Sequence, residues 1–284
     1  MQSGSKIINE AALDRLGELL RTYSPALVLT GAGCSTESGI PDYRDRHGGW
    51  KHAQPVQWRD FLHDPAARRR FWIRSLAGWP RVDGALPNAA HFALARLEAA
   101  GVVHCVVTQN VDRLHHKAGQ RHVIELHGRV DAVECLVCGS RRSRAHMQRA
   151  LLALNPSATA NSDASTGPDG DVLHAVMDSG DFKVPDCQHC GGLLKPAVVF
   201  FGDSVPRRRV EAAFSALQRA RMLLVAGSSL MVFSGFRFCR AALQQRKPVA
   251  AVNLGLTRAD DSLALKLNAP CGAALSGLAA RLEA

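Results

Sequence analysis

"ALVLTGAGCSTESGIPDYR", residues 26–44, joins a short apolar run to a glycine-rich turn. A run this brief and this uniformly apolar suits a strand buried on both faces, as strands of parallel sheets are. Gly31 and Gly33 let the backbone turn tightly and approach a phosphate closely, with the amides of a following helix start facing the anion. The pattern is GxGxS rather than the full GxGxxG, and a glycine turn after a strand also serves packing alone.

Four further runs have the same character: "VVHCVVT" (102–108), "AVVFF" (197–201), "MLLVAG" (222–227) and "PVAAVN" (248–253). Amphipathic stretches lie between most of them, among them "NEAALDRLGELLRTY" before the first and "RRRVEAAFSALQRA" before the fourth. Alternating strands and helices predict an α/β fold, a Rossmann-like doubly wound parallel sheet. Ligands of such sheets sit beyond the carboxyl ends of the strands. There the sequence places "TQNVD", "GSSL" and "NLG", all small or amide-bearing residues suited to holding a dinucleotide across several loops.

Two segments interrupt the pattern. Residues 45–99 hold all four tryptophans in a helix-like region, with "DPAARRRFW" as a helix start. Residues 129–195 carry two Cys-x-x-Cys pairs and the polar, turn-rich "NPSATANSDASTGPDGD", too weakly hydrophobic to form core. The expected organisation is one catalytic domain over residues 1–284. Residues 1–44, 100–128 and 196–284 form its core, 45–99 a helical insertion, and 129–195 a metal module with a long loop, the two insertions making a smaller lobe across a cleft.

The pairs are Cys135 with Cys138 and Cys187 with Cys190. In a reducing compartment such pairs read as a metal site before a disulfide framework, and four thiolates describe a closed structural zinc centre. Two separate redox pairs, or His189 replacing one cysteine, are the alternatives. Cys34, Cys105, Cys239 and Cys271 lack paired spacing and read as small buried hydrophobes.

The chain of 284 residues is 46% hydrophobic and 21% charged, ordinary values for a water-soluble fold, and no apolar run approaches the roughly 20 residues that span a bilayer. "MQSGSKIINEAALDRLGELL" lacks the features of a signal or transit peptide, so a cytoplasmic, membrane-free protein is expected. The net charge of +10 includes arginine clusters at 68–70, 141–144 and 207–209. They are short, scattered and not interleaved with aromatics, which favours solvated faces over a specific nucleic-acid surface. In "HVIELHGRV" (122–130), His127 ends an alternating apolar stretch and Gly128 turns the chain away; locally, that describes a partly buried, satisfied histidine.

"GAGCS", "GIPDYR", "TQNVD", "ELHG", the two cysteine pairs, "VVFFGD", "GSSL", "VNLG" and the late Cys271 follow one another in the order found in sirtuins, and from about residue 24 to 280 the chain resembles that family. "GIPDYR", "GWP", "PDGD" and "VFSGF" look most like its class II branch, which contains the fourth human mitochondrial sirtuin. The resemblance implies an NAD-dependent protein lysine deacylase with one structural Zn2+, acting on acyl-lysine proteins or peptides as a monomer. In that chemistry the acyl oxygen attacks the nicotinamide ribose, nicotinamide leaves, and the acyl group passes to ADP-ribose.

By similarity, His127 is the general base on the ribose hydroxyls, a role that suits a histidine with a pKa near working pH. Asn110 and Asp112 would hold the carboxamide and Gln109 the ribose; Asp42 and Arg44 would order the cofactor loop. Gly31, Ala32, Gly33, Gly227, Ser228 and Ser229 would contact phosphate and ribose, and Asn253, Gly255 and Cys271 the adenosine end. Ser35, Glu37, Pro41 and Tyr43 complete the cofactor set. Phe201 and Gly202 would pair with the substrate backbone as an added strand, beside Val198. Individually, Asp112 also reads as a helix cap, Asn110 as a turn support and Ser228 as an N-cap.

Dicarboxyl-lysine-preferring sirtuins carry a Tyr-x-x-Arg pair; here "FWIR" places Phe71 at the tyrosine and keeps Arg74. Loss of the hydroxyl argues against strong succinyl preference and for longer, bulkier or branched acidic acyl groups over acetyl. Arg74 also reads as an exposed helix residue. The competing functions are a protein ADP-ribosyltransferase, which begins by breaking the same bond, and a zinc-ribbon nucleic-acid-binding protein. An NAD dehydrogenase is disfavoured by the incomplete glycine fingerprint.

Overall fold

The computed structural model describes residues 9–51, 54–158 and 181–283. Residues 1–8, most of the polar passage 155–171 and the rest of the long loop lie outside them. In chain order come α1 (Glu10–Thr22), β1 (Ala26–Thr30), α2 (Trp58–His63), α3 (Pro65–Gly84), α4 (Ala89–Ala99) and β2 (Val103–Thr108). Next are α5 (Leu114–Lys117), β3 (Val123–Glu125), β4 (Gly128–Cys135), β5 (Arg141–Ser143), α6 (Arg144–Leu154) and β6 (Leu194–Val198). The chain then builds α7 (Arg207–Arg219), β7 (Met222–Ala226), α8 (Phe233–Gln244), β8 (Val249–Val252), β9 (Leu265–Leu267) and α9 (Cys271–Leu282).

Six strands form a wholly parallel sheet in the order β3-β2-β1-β7-β8-β9. The uniform apolarity of β1 has the expected cause. Ala26 and Val28 pack on one face with α1, α4 and α9, whereas Leu27 and Leu29 pack on the other with α7 and α8. The Rossmann-like α/β core is therefore as the sequence predicts. Local signals also set the helix starts: Asn9 accepts from the Ala12 amide at 3.1 Å, and Asp64 accepts from the Ala66 amide at 2.8 Å just before Pro65.

One strand differs from expectation. "AVVFF" does not join the parallel sheet; residues 194–198 form β6, which pairs antiparallel with β4 in a separate sheet of order β5-β4-β6. Its apolar side chains are buried instead against α2, α3 and α6 in a second core of Phe61, Phe71, Trp72, Leu76, Met147 and Leu151. Burial alone made the run apolar, and burial does not say against which sheet. Strands β3 and β9, three residues each at the sheet edges, are too short to stand out as apolar runs.

Among the described residues no helix is long and apolar enough to cross a membrane. The small sheet brings the two cysteine pairs together: Cys135 ends β4, Cys138 follows it, and Cys187 and Cys190 precede β6.

Candidate active site

At the carboxyl ends of β1, β2 and β7 the loops close on one another. Gly33 donates its amide to the Gly227 carbonyl at 2.8 Å, and Gly31 donates to Ala226 at 3.1 Å. A Cβ on Gly33 would meet Gly227 at 3.0 Å; one on Gly227, where φ is +63°, would meet the Cys34 amide nitrogen at 2.2 Å. Only glycine permits this approach. The result is a cavity of about 580 Å³ lined by Gly31, Ala32, Gly33, Ser35, Asp42, Tyr43 and Arg44, and across it by Gly227, Ser228, Ser229 and Asn253.

The "TQNVD" loop lies beneath this cradle. Asn110 Nδ2 donates to the Gly31 carbonyl and to Ser35 Oγ, both at 3.0 Å, and Ser35 Oγ donates to Asp112 Oδ2 at 2.7 Å. Asp112 also caps α5 by accepting from the Leu114 amide at 2.9 Å. Burial raises its pKa above the usual carboxylate range against these hydrogen bonds. Gln109 Nε2 donates to Ser228 Oγ at 2.8 Å, tying the β2 loop to the β7 loop. Glycine backbone, amides and hydroxyls converging at strand ends fit the phosphates and ribose of a dinucleotide.

His127 faces the cavity from the turn between β3 and β4. Its Nδ1 lies 3.0 Å from the Gln109 carbonyl oxygen, which can only accept, so Nδ1 carries the proton. Nε2 then holds the lone pair and accepts from Ser234 Oγ at 2.7 Å. Burial pushes the pKa down to about 4, with the Arg209 and Arg237 charges adding to it, although the Gln109 contact opposes the shift. This corrects the expectation of a pKa near working pH. With Nδ1 protonated, the ring is neutral at rest and its lone pair lies on Nε2.

Not every expected residue reaches the cavity. Glu37 accepts from the Gly272 amide at 2.7 Å, linking the cofactor loop to the start of α9, and Cys271 is buried with its Sγ 3.7 Å from the Val252 carbonyl. Neither lines the cavity, nor does Pro41. Gly255 lines a neighbouring hollow with Arg46, Lys266 and Asn268. Lys51 pairs with Asp42, and Arg44 Nη1 donates to the Gly48 carbonyl at 2.6 Å while lying 4.2 Å over the Trp50 ring, so residues 42–51 fold on themselves.

The far end of the cavity is apolar. Phe71, Val198, Phe200, Phe201 and Gly202 line it, with Ser75 one turn beyond Phe71 on α3. Arg74 is half-buried on the same helix and is not among the lining residues. The Phe201 carbonyl already accepts from the Trp58 amide at 2.7 Å, so the edge proposed for an added strand is partly occupied from within. Sequence reading assigned no contact to Ser75, which stands in no motif, or to Ser234, which lies within "VFSGF" but was given no role there.

In the small sheet, Cys135 Sγ lies 3.5 Å from Cys190 Sγ and Cys138 Sγ 3.7 Å from Cys187 Sγ, with all four sulfurs within 4.8 Å of one another. Zinc–sulfur bonds of about 2.3 Å at tetrahedral angles place sulfurs about 3.8 Å apart, so the donor set fits zinc and leaves no position for substrate.

The Sir2 family profile matches residues 31–234. The chain is 52% identical to NAD-dependent protein deacetylase 2 of Bradyrhizobium diazoefficiens over 97% of its length and 99% of that protein's. It is also 52% identical to an NAD-dependent protein deacetylase of Xanthomonas campestris pv. campestris, covering 93% of this chain and 89% of that one. Among solved structures, a Sir2 complex with a p53 peptide and NAD+ superposes with a TM-score of 0.74 at 31% identity, covering 95% of this chain and 96% of that one. Sir2Tm bound to a propionylated peptide gives 0.73 at 31% identity, with 93% and 95% covered.

Proposed function

Because the chain belongs to the Sir2 family, we infer that it is an NAD-dependent protein deacetylase whose general base is His127. The carrying observation is the position of that neutral imidazole, its tautomer set by the Gln109 carbonyl, in the same cavity as the glycine cradle. NAD, when bound, supplies the electrophilic ribose carbon that captures the acyl oxygen. The residues of this chain do the rest. Gly31, Gly33, Gly227 and Ser228 hold phosphate and ribose, Gln109 orients the ribose, and Asn110 and Asp112 hold the carboxamide. His127 Nε2 takes the ribose hydroxyl proton once Ser234 yields its place. Zinc ties β4 to the segment before β6 and takes no part in the chemistry.

We further propose, from phenylalanine at position 71 beside Arg74, that longer, bulkier or branched acidic acyl groups are handled better than acetyl. Support comes from Phe71 and Val198 in the cavity lining, with phenylalanine standing where the dicarboxyl-preferring sirtuins carry tyrosine. Acidic preference needs Arg74 to reach an acyl carboxylate. A panel of acetyl-, propionyl-, glutaryl- and methylglutaryl-lysine peptides with NAD, for native protein, His127→Ala and Arg74→Ala, tests both readings. His127→Ala is expected to lose about 10²- to 10⁴-fold in kcat, and equal activity in that variant refutes the base. Unchanged turnover of glutaryl-type peptides by Arg74→Ala refutes the acidic pocket. A zinc-ribbon nucleic-acid function leaves the strand-end cavity without a purpose and is set aside.

A further inference from the structure

We propose that Cys34, His91 and His115 form a second metal site, binding one thiophilic ion of the Zn2+ and Cu+ class behind the cofactor cradle. The three residues are 57 and 24 positions apart in sequence, yet their donor atoms lie within 4.8 Å of one another. The site is dry: Cys34 and His91 are 0% exposed and His115 2%. One thiol and two imidazoles are borderline-to-soft donors that suit these ions rather than Mg2+ or Ca2+.

The second observation is the hydrogen bonding of the rings. Among the described residues, His91 Nε2 and His115 Nδ1 are buried without a hydrogen-bond partner. An unmet polar atom in such a place costs about 1–3 kcal/mol. The opposite nitrogen of each ring is engaged: His91 Nδ1 lies 3.1 Å from Asn88 Oδ1 and 3.3 Å from the Asn88 amide nitrogen, leaving Nε2 for an ion in the tautomer whose Nδ1 donates to Oδ1, and His115 Nε2 lies 3.0 Å from Thr30 Oγ1. Metal-binding histidines have this form, in which one nitrogen is oriented by an oxygen and the other is left for the ion. The rings meet edge to face with centroids 4.9 Å apart.

Charge balance agrees with the ion class. The Cys34 proton leaves to solvent as the sulfur binds, so Cu+ with one thiolate and two neutral imidazoles makes a neutral centre. Zn2+ in the same three-ligand set keeps one positive charge, near the Asp112 and Glu37 carboxylates that act on Cys34. Coordination would link the 32–34 turn to α4 and α5. That turn packs on Gly227 and precedes Ser35, so the ion would brace the cradle from behind.

The test uses full-length protein purified with zinc in place at its four-cysteine site. It is incubated with excess Zn2+, or in a separate arm with Cu+ under reducing conditions, then desalted, and its metals are counted by mass spectrometry. Native protein is expected to hold one ion more per chain than Cys34→Ala, His91→Phe and His115→Gln in at least one arm. Its melting temperature should rise by roughly 5 °C at a hundredfold excess over Kd, with no such rise in the variants. Equal counts in native protein and variants, as surface histidines would give, overturn the proposal. If the variants do not fold, native protein alone decides: a total that stops at one metal per chain in both arms overturns it.

Discussion

The His127 ring is held by two atoms outside its own side chain, the Gln109 carbonyl at Nδ1 and the Ser234 hydroxyl at Nε2, and the general-base role proposed for it rests on that arrangement. With its pKa pushed down to about 4, the ring is already neutral well below pH 6.5. The acidic limb of kcat/KM, which reports the free enzyme, is therefore expected to fall between about pH 4 and 5; a limb centred near 6.5 contradicts the assigned environment. The same shift acts on stability. The unfolded chain takes up a proton at His127 below about pH 6.5 that the native chain refuses until about pH 4, so this group makes stability rise with pH across that window. Ser234 touches only the lone pair that substrate must claim. Ser234→Ala is expected to change kcat by less than tenfold and leave the Gln109-set tautomer intact, whereas loss comparable to His127→Ala would make Ser234 part of proton transfer.

At the scale of elements, the close contact of the β1 and β7 loops is the feature most sensitive to change. Gly227→Ala places a methyl group 2.2 Å from the Cys34 amide nitrogen, so the turns must part. Calorimetry should show NAD affinity falling by more than tenfold, and binding at native strength would mean the cradle is not where phosphate sits. The loops that follow β1, β2 and β7 were legible because glycine, amide and hydroxyl residues come directly after apolar strands. The three-stranded sheet was less so. Its β6 has the same composition as a core strand, since both are buried, and only the antiparallel pairing with β4 tells them apart. Ser234, Ser75 and the Cys34–His91–His115 cluster carry no spacing signal at all: their neighbours come from packing, which one sequence does not display.

For the molecule as a whole, the loops after the parallel strands line one part of the cavity, while α3, Pro55 and Val56 before α2, and β4 and β6 of the three-stranded sheet line its apolar part. The four-cysteine set fits a structural zinc, so chelation or Cys138→Ser is expected to release the ion and abolish deacetylation, with a melting transition several degrees lower. Activity surviving complete zinc loss would separate the lobe from the reaction. The central claim is the proposed transfer of an acyl group from lysine to the ribose of NAD. Its most direct test follows nicotinamide and deacetylated peptide together, in time, with acetyl-lysine peptide and NAD. The account predicts that they appear in equal amounts, that neither forms when NAD or peptide is omitted, and that both are lost in His127→Ala. Deacetylation without NAD, or nicotinamide released without deacetylated peptide, would contradict it.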